Sequence, residues 1–202
     1  APLILLFHQG GSNGRGEYEE IAGWLNQAGF RAIAWAQRCG GDLYGETNRT
    51  VNDLQASTEP TFCDAYPDLK AALDYVVSEG LAERVAVWGS SYSGALVFRL
   101  ASENQGMISS VIACSPASGG PMVDCRARMW VDNLAIPALV LRPQSEMERE
   151  TSMEQREILT ASGVQFLVVE NGVHGSSMLL DSRTGHDMSG DRKAIIDWLD
   201  GR

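Results

Sequence analysis

Positive charge is scarce in this chain. Across 202 residues, 16 Lys and Arg face 26 Asp and Glu, for a formal net charge of −10. That balance disfavours nucleic acid and anionic membrane surfaces as partners, since both recruit clustered Lys and Arg. Long apolar runs are missing too, and none approaches the roughly 20 residues that span a bilayer. No two cysteines have the C-x-x-C spacing, which removes a common zinc or dithiol motif, and no metal or cofactor is expected. No signal peptide is visible, although the chain opens on Ala1 rather than Met, consistent with upstream processing. Only three histidines are present, so histidine chemistry has few places to sit. Nothing in the sequence specifies an oligomeric state.

What the chain does have suits a globular core: 44% of its residues are hydrophobic, and the length predicts one domain over residues 1–202. Six short apolar runs read as strands: Leu3 to Phe7, Arg31 to Trp35, Val85 to Trp88, Ser110 to Ala113, Ala138 to Leu141 and Gln165 to Val169. Their near-continuous apolar character fits a sheet buried on both faces. Amphipathic segments from Glu17 to Gln27, Pro67 to Ser78, Ala95 to Ser102, Thr151 to Ser162 and Asp191 to Leu199 read as helices. Strand–helix alternation predicts an α/β fold, a mostly parallel sheet of about six strands with helices on both faces. Two connections are long, Ala36 to about Tyr66 and about Cys114 to Ala135. Both leave the carboxyl ends of their strands, where open α/β sheets bind ligands.

The most informative segment is Gly89-Ser90-Ser91-Tyr92-Ser93-Gly94. It lies between the strand ending at Trp88 and the helix beginning near Ala95. A serine on a tight strand-to-helix turn has its hydroxyl lifted clear of the sheet edge. The pattern is Gly-x-Ser-x-Gly with Ser93 in the final glycine position, a small residue in a place that demands one. Ser91 is the candidate nucleophile. Ser90 has the wrong flanks, and Ser93 should already lie inside the helix.

An activated serine needs a base, and the base needs an orienting group. His174, in Asn171-Gly172-Val173-His174-Gly175, follows the last strand and is the candidate base. His8 reads as a loop-orienting residue and His186 as a surface one. After the strand from Ala138 to Leu141 come Glu146 and Glu148, either of which gives the chain order Ser, acid, His. The developing oxyanion needs N–H donors. Tyr92 supplies one, and the loop His8-Gln9-Gly10-Gly11 supplies the other, with Gly10 as the candidate.

With these segments at four strand ends, the chain resembles the α/β-hydrolase superfamily from Leu3 to Leu199. It is most similar to small single-domain esterase and dienelactone-hydrolase-like members, and parts resemble the catalytic domain of prolyl-oligopeptidase-type enzymes. The resemblance implies Ser91 as nucleophile, His174 as base, Glu146 as acid, and Gly10 and Tyr92 as the oxyanion hole. A dienelactone hydrolase proper would carry Cys where Ser91 stands. The expected activity is hydrolysis of a small-molecule carboxylic ester through an acyl-enzyme. Peptide cleavage and a non-catalytic binding module on the same fold are the alternatives.

The loop after Cys114 carries Met122, Met129 and Trp130, which are expected to wall a shallow substrate pocket opposite Tyr92 and Tyr44. Trp130 can equally anchor that loop to the core. The four cysteines are either buried thiols or two disulfides. Since each pair shares one long connection, Cys39–Cys63 and Cys114–Cys125 are the expected bonds, and pairing would imply export to an oxidising compartment.

Overall fold

The computed structural model describes residues 1–54 and 59–201. Six parallel strands form one sheet in the order β2-β1-β3-β4-β5-β6. They are β1 Leu3–Phe7, β2 Arg31–Trp35, β3 Val85–Ser90, β4 Ile108–Cys114, β5 Ala138–Pro143 and β6 Gln165–Val169. The register runs Leu3 beside both Arg31 and Val85, so β1 is paired on each side. β1, β3 and β5 are buried along their whole length, as their apolar runs require. The edge strands β2 and β6 are partly exposed and carry Arg31 and Gln165 at their starts.

The helices are α1 Gly14–Gln27, α2 Arg49–Asp53, α3 Tyr66–Ser78, α4 Tyr92–Glu103, α5 Glu150–Ala161, α6 Asp181–Thr184 and α7 Ser189–Asp200. Strand alternation sorts them into two layers. Leu3, Leu5, Phe7, Val85 and Val87 pack with Leu69, Leu73, Leu96 and Leu159 of α3, α4 and α5. Ile4, Leu6, Ala86 and Trp88 pack with Ile21, Leu25, Ile195 and Leu199 of α1 and α7. Local chemistry starts and bounds these helices. The Asn13 side chain accepts from Gly16 N at 2.8 Å and caps α1, and Pro67 sits in the first turn of α3, where its missing N–H costs nothing. No helix among the described residues is long and apolar enough to cross a membrane.

The direction of strand addition reverses at β1, with β2 on one side and β3 on the other. A crevice opens at such a switch point, outside the carboxyl ends of the strands. The loops after β1 and β3 flank it. The two long connections are partly ordered by short helical turns: α2 and the 3-10 turn Phe62–Ala65 in the first, and 3-10 turns Gly120–Met122, Ala127–Met129 and Val131–Asn133 in the second.

The expected cysteine pairing is corrected by the structure. The disulfide is Cys63–Cys125, and Cys39 and Cys114 are free and buried. The two long connections meet over the α3–α4 side, where the Cys63 sulfur also lies 3.8 Å from the Pro121 carbonyl. Cys114 faces the opposite layer, among Trp88 and Leu141, while Cys125 belongs to the layer of Met122 and Ala127. The sheet therefore separates the pair that sequence proximity suggests. Cys39 instead turns its thiol to the Thr61 carbonyl at 3.1 Å.

Candidate active site

Ser91 stands between β3 and α4 with φ 55° and ψ −115°. An L-residue rarely adopts a positive φ, and such strain persists only where the surroundings impose it. Here they do. Ser91 N donates to the Cys114 carbonyl at 2.9 Å, and Ala117 N donates to the Ser91 carbonyl at 2.9 Å, so the turn is bolted to the end of β4. The flanking glycines permit the tightness. A Cβ on Gly89 would lie 2.3 Å from the Ser93 carbonyl oxygen, and one on Gly94 would lie 3.2 Å from the Cys114 carbonyl oxygen.

The Ser91 hydroxyl lies 2.9 Å from His174 Nε2. On the other edge of the ring, His174 Nδ1 lies 2.5 Å from Glu146 Oε1. A carboxylate only accepts, so Nδ1 carries the proton and the Nε2 lone pair faces Ser91. Burial pushes the Glu146 carboxyl upward, but the hydrogen bond and charge of His174, with the Arg142 guanidinium, hold it below its ordinary value. Arg142 Nη1 donates to Glu146 Oε2 at 2.5 Å, while its Nη2 donates to the Pro116 carbonyl at 2.6 Å and to Gln155 Oε1 at 2.5 Å. The Glu146 carboxylate is thus held ionised and engaged on both oxygens. Glu148 is exposed two residues farther on.

The loop after β1 is fixed at every turn. His8 N donates to Gln37 Oε1 at 3.0 Å and Gln37 N donates to His8 Nε2 at 2.9 Å. Burial lowers the His8 pKa to about 4, so this ring is neutral and structural. Its Nδ1 donates to the Gln9 carbonyl at 2.8 Å, and Ser12 N donates to the same oxygen at 3.3 Å. No peptide bond among the described residues is cis. The Gly10 N–H therefore points opposite the Gln9 carbonyl, away from those two donors. A side chain at Gly10 would press on the Phe62 ring, since its Cβ would lie 3.1 Å from it. Tyr92 opens α4, where a helix leaves its first N–H groups unpaired. Its buried ring stacks on Phe62 at 4.8 Å, and its hydroxyl donates to the Cys39 carbonyl at 2.7 Å.

The residues expected to wall the pocket are placed differently from one another. Met122 is fully buried in the α3–α4 core. Trp130 packs against that core with the Arg99 guanidinium 5.1 Å from its ring, so it anchors the loop. Tyr44 is half-buried, accepts from Gln9 Nε2 at 2.9 Å and from Ser177 Oγ at 3.0 Å, and lies under the Arg183 guanidinium. It adjoins the loop as a strut. The cavity beside His174 holds about 210 Å³ and is lined by Pro116, Ser118, Glu146, Arg149 and Thr151. Sequence reasoning named Glu146 but missed Pro116, Ser118, Arg149 and Thr151, and it missed the buried Glu17 beneath the loop, because none of these belongs to a motif.

This arrangement can move a proton from a serine hydroxyl to an imidazole whose far side is braced by a fixed carboxylate. Comparison with known proteins bears on the fold and the family. No curated protein matches the chain. Among solved structures, a dienelactone hydrolase from Anabaena variabilis superposes with a TM-score of 0.71 at 14% identity, over 98% of this chain and 85% of that one. An esterase from Pyrococcus furiosus gives 0.70 at 14% identity, over 98% and 81%. Est1E from Butyrivibrio proteoclasticus, with ferulic acid bound, gives 0.69 at 14% identity, over 98% and 88%. These likenesses establish an α/β-hydrolase fold. The family model described as serine aminopeptidase, S33, matches residues 2–165. The chain is a hydrolase with this fold, and it belongs to the serine aminopeptidase S33 family of α/β-hydrolases.

Proposed function

We propose that the protein hydrolyses small carboxylic esters through an acyl-enzyme on Ser91. The observation that carries the reading is the continuous line from Ser91 Oγ to His174 Nε2 at 2.9 Å and from His174 Nδ1 to Glu146 Oε1 at 2.5 Å. His174 takes the Ser91 proton as the hydroxyl attacks the ester carbonyl. The tetrahedral oxyanion is met by the N–H groups of Tyr92 and Gly10. His174 then protonates the departing alcohol. Water, deprotonated by the same ring, releases the acid and restores Ser91.

A short acyl group suits the cavity beside His174. Its volume is about 210 Å³, and it opens to solvent beside Pro116, Ala117 and Arg149. An added methylene gains roughly 0.8 kcal/mol only where protein surrounds it, so long chains gain little here. The neighbours described as esterases support the ester reading.

Peptide hydrolysis is the second reading, favoured by the family description. An aminopeptidase must hold a substrate ammonium, which calls for an unengaged carboxylate near the nucleophile. Glu146 is already engaged by Arg142 and His174, and the remaining charged groups on the cavity wall, Arg142 and Arg149, are cations. That chemistry favours the ester. Parallel assays with p-nitrophenyl esters of increasing chain length and with dipeptide amides test the choice. We expect ester turnover with a kcat/KM that peaks at short acyl groups. Dipeptide turnover exceeding that of every ester would reverse the assignment.

A further inference from the structure

We propose that Glu17 is a positioning residue, a second buried carboxylate that acts through the loop bearing Gly10 and through its charge on His174. The proposal rests on the reading of Ser91 and His174 as the reacting pair. Glu17 is 1% exposed on the first turn of α1. Its Oε2 accepts from Gln9 N at 2.7 Å, one residue before Gly10. That bond completes the pinning of the loop, whose other anchors are Gln37 on His8 N and Ser93 on the His8 carbonyl. Glu17 Oε1 has no direct hydrogen bond of good geometry, although the Ser90 hydroxyl and the Ser176 backbone lie beside it. Ser90 precedes Ser91, and Ser176 follows His174 by two residues. The carboxylate therefore sits under the junction of three of the four loops that carry the site, those after β1, β3 and β6. A Cβ on Gly175 would come within 2.5 Å of both Gln9 Oε1 and Ser90 Oγ, which shows how closely those loops meet.

A structural acceptor for one N–H needs no charge, and a buried carboxylate is an expensive way to provide it. No lysine or arginine pairs with Glu17 among the described residues. The titratable groups around it are His174, Tyr18, Cys114 and Tyr92. Burial keeps the last three neutral, with Cys114 pushed up to about 12 and both tyrosines well above their ordinary value. On the helix itself Arg15 is exposed and paired with Glu19 and Glu46. Arg183 of α6 donates to the Gly16 carbonyl and covers Tyr44. His174 is thus the one neighbour whose charge changes during the reaction. Burial raises the Glu17 pKa to about 7, against opposing hydrogen bonds and the His174 charge. Above neutrality the carboxylate is ionised, and it then favours the imidazolium that forms as Ser91 gives up its proton. Below neutrality it is protonated, and that contribution vanishes.

Glu17→Gln tests this, because glutamine keeps an oxygen for Gln9 N and removes only the charge. We expect kcat of the wild type over that of Glu17→Gln to be near one at about pH 5.5 and to exceed about threefold by pH 8.5, with KM little changed. A ratio independent of pH, whether near one or large, would overturn the proposal. The His174 ring titration, followed by NMR in Ser91→Ala with and without Glu17→Gln, needs no turnover. Its midpoint should fall when Glu17 is replaced, since an ionised carboxylate nearby favours the charged ring. An unmoved midpoint also overturns the proposal. A moved midpoint in a protein that hydrolyses no ester would refute the ester reading and leave the hold of Glu17 on His174 standing.

Discussion

The Ser93 hydroxyl donates to the His8 carbonyl at 2.6 Å. It joins the start of α4 to the end of β1 across the switch point of the sheet. The same oxygen accepts from Gln37 Nε2 at 2.6 Å. Serine in the final glycine position of the elbow therefore fastens the nucleophile turn to the loop that carries Gly10. Ser93→Ala leaves two buried polar groups unpaired, at about 1–3 kcal/mol each. We expect a lower urea midpoint and a reduced kcat on p-nitrophenyl acetate. A variant matching the wild type in both would show that the tie contributes nothing.

Glu146 and Glu148 are two residues apart and should behave in opposite ways. Glu146→Gln loses the charge that stabilises the His174 imidazolium and presents an amide where Nδ1–H donates. We expect kcat to fall by up to about 10⁴-fold, as in comparable triads. Glu148 is exposed, and Glu148→Gln should stay within about twofold of wild type, as surface changes away from such features do. Equal losses in the two variants would contradict the assignment.

Two buried groups give the stability a pH dependence of opposite signs. Glu17 rises from 4.5 to about 7 on folding through burial. Its favourable contribution is complete below pH 4.5 and is lost as pH climbs to about 7, costing about 3 kcal/mol. His8 falls from 6.5 to about 4, so its contribution is present above pH 6.5 and is lost as pH drops to about 4. Between pH 4.5 and 6.5 the two slopes oppose each other in the wild type. Glu17→Gln should remove the first slope, leaving stability that rises with pH across that window. Urea midpoints at pH 5 and pH 7 measure it, and an unchanged difference between wild type and variant would count against the buried acid.

The disulfide makes a simple demand on thiol counting. Titration of the unfolded, unreduced protein should find two free thiols, Cys39 and Cys114. Replacing both Cys63 and Cys125 with serine should cost about 2–4 kcal/mol, because the bond closes a loop across 62 residues of sequence. Four free thiols, or none, would contradict the pairing.

Much of the architecture was legible because the signals were local. The apolar runs marked β1, β2 and β6 to the residue, since Gly, Pro and polar segments bound them. Helix α4 begins at Tyr92 rather than near Ala95 because the strained Ser91 turn feeds straight into it. The elbow and the His-Gly segment could be read because each carries its geometry in adjacent residues. The cysteine pairing could not, since it depends on which sheet face Cys114 and Cys125 occupy. Met122 and Trp130 look the same in sequence whether they line a pocket or fill a core. Glu17 reads as one more acidic residue in an exposed helical turn until the fold places Gln9 above it.

The central claim is that Ser91 is the nucleophile. Exposure to a fluorophosphonate, followed by peptide mass analysis, tests it most directly. The prediction is one adduct per chain, located on Ser91, with ester turnover lost in step with labelling and no adduct on Ser91→Ala. Stoichiometric labelling of another residue, or full turnover by Ser91→Ala, would contradict it.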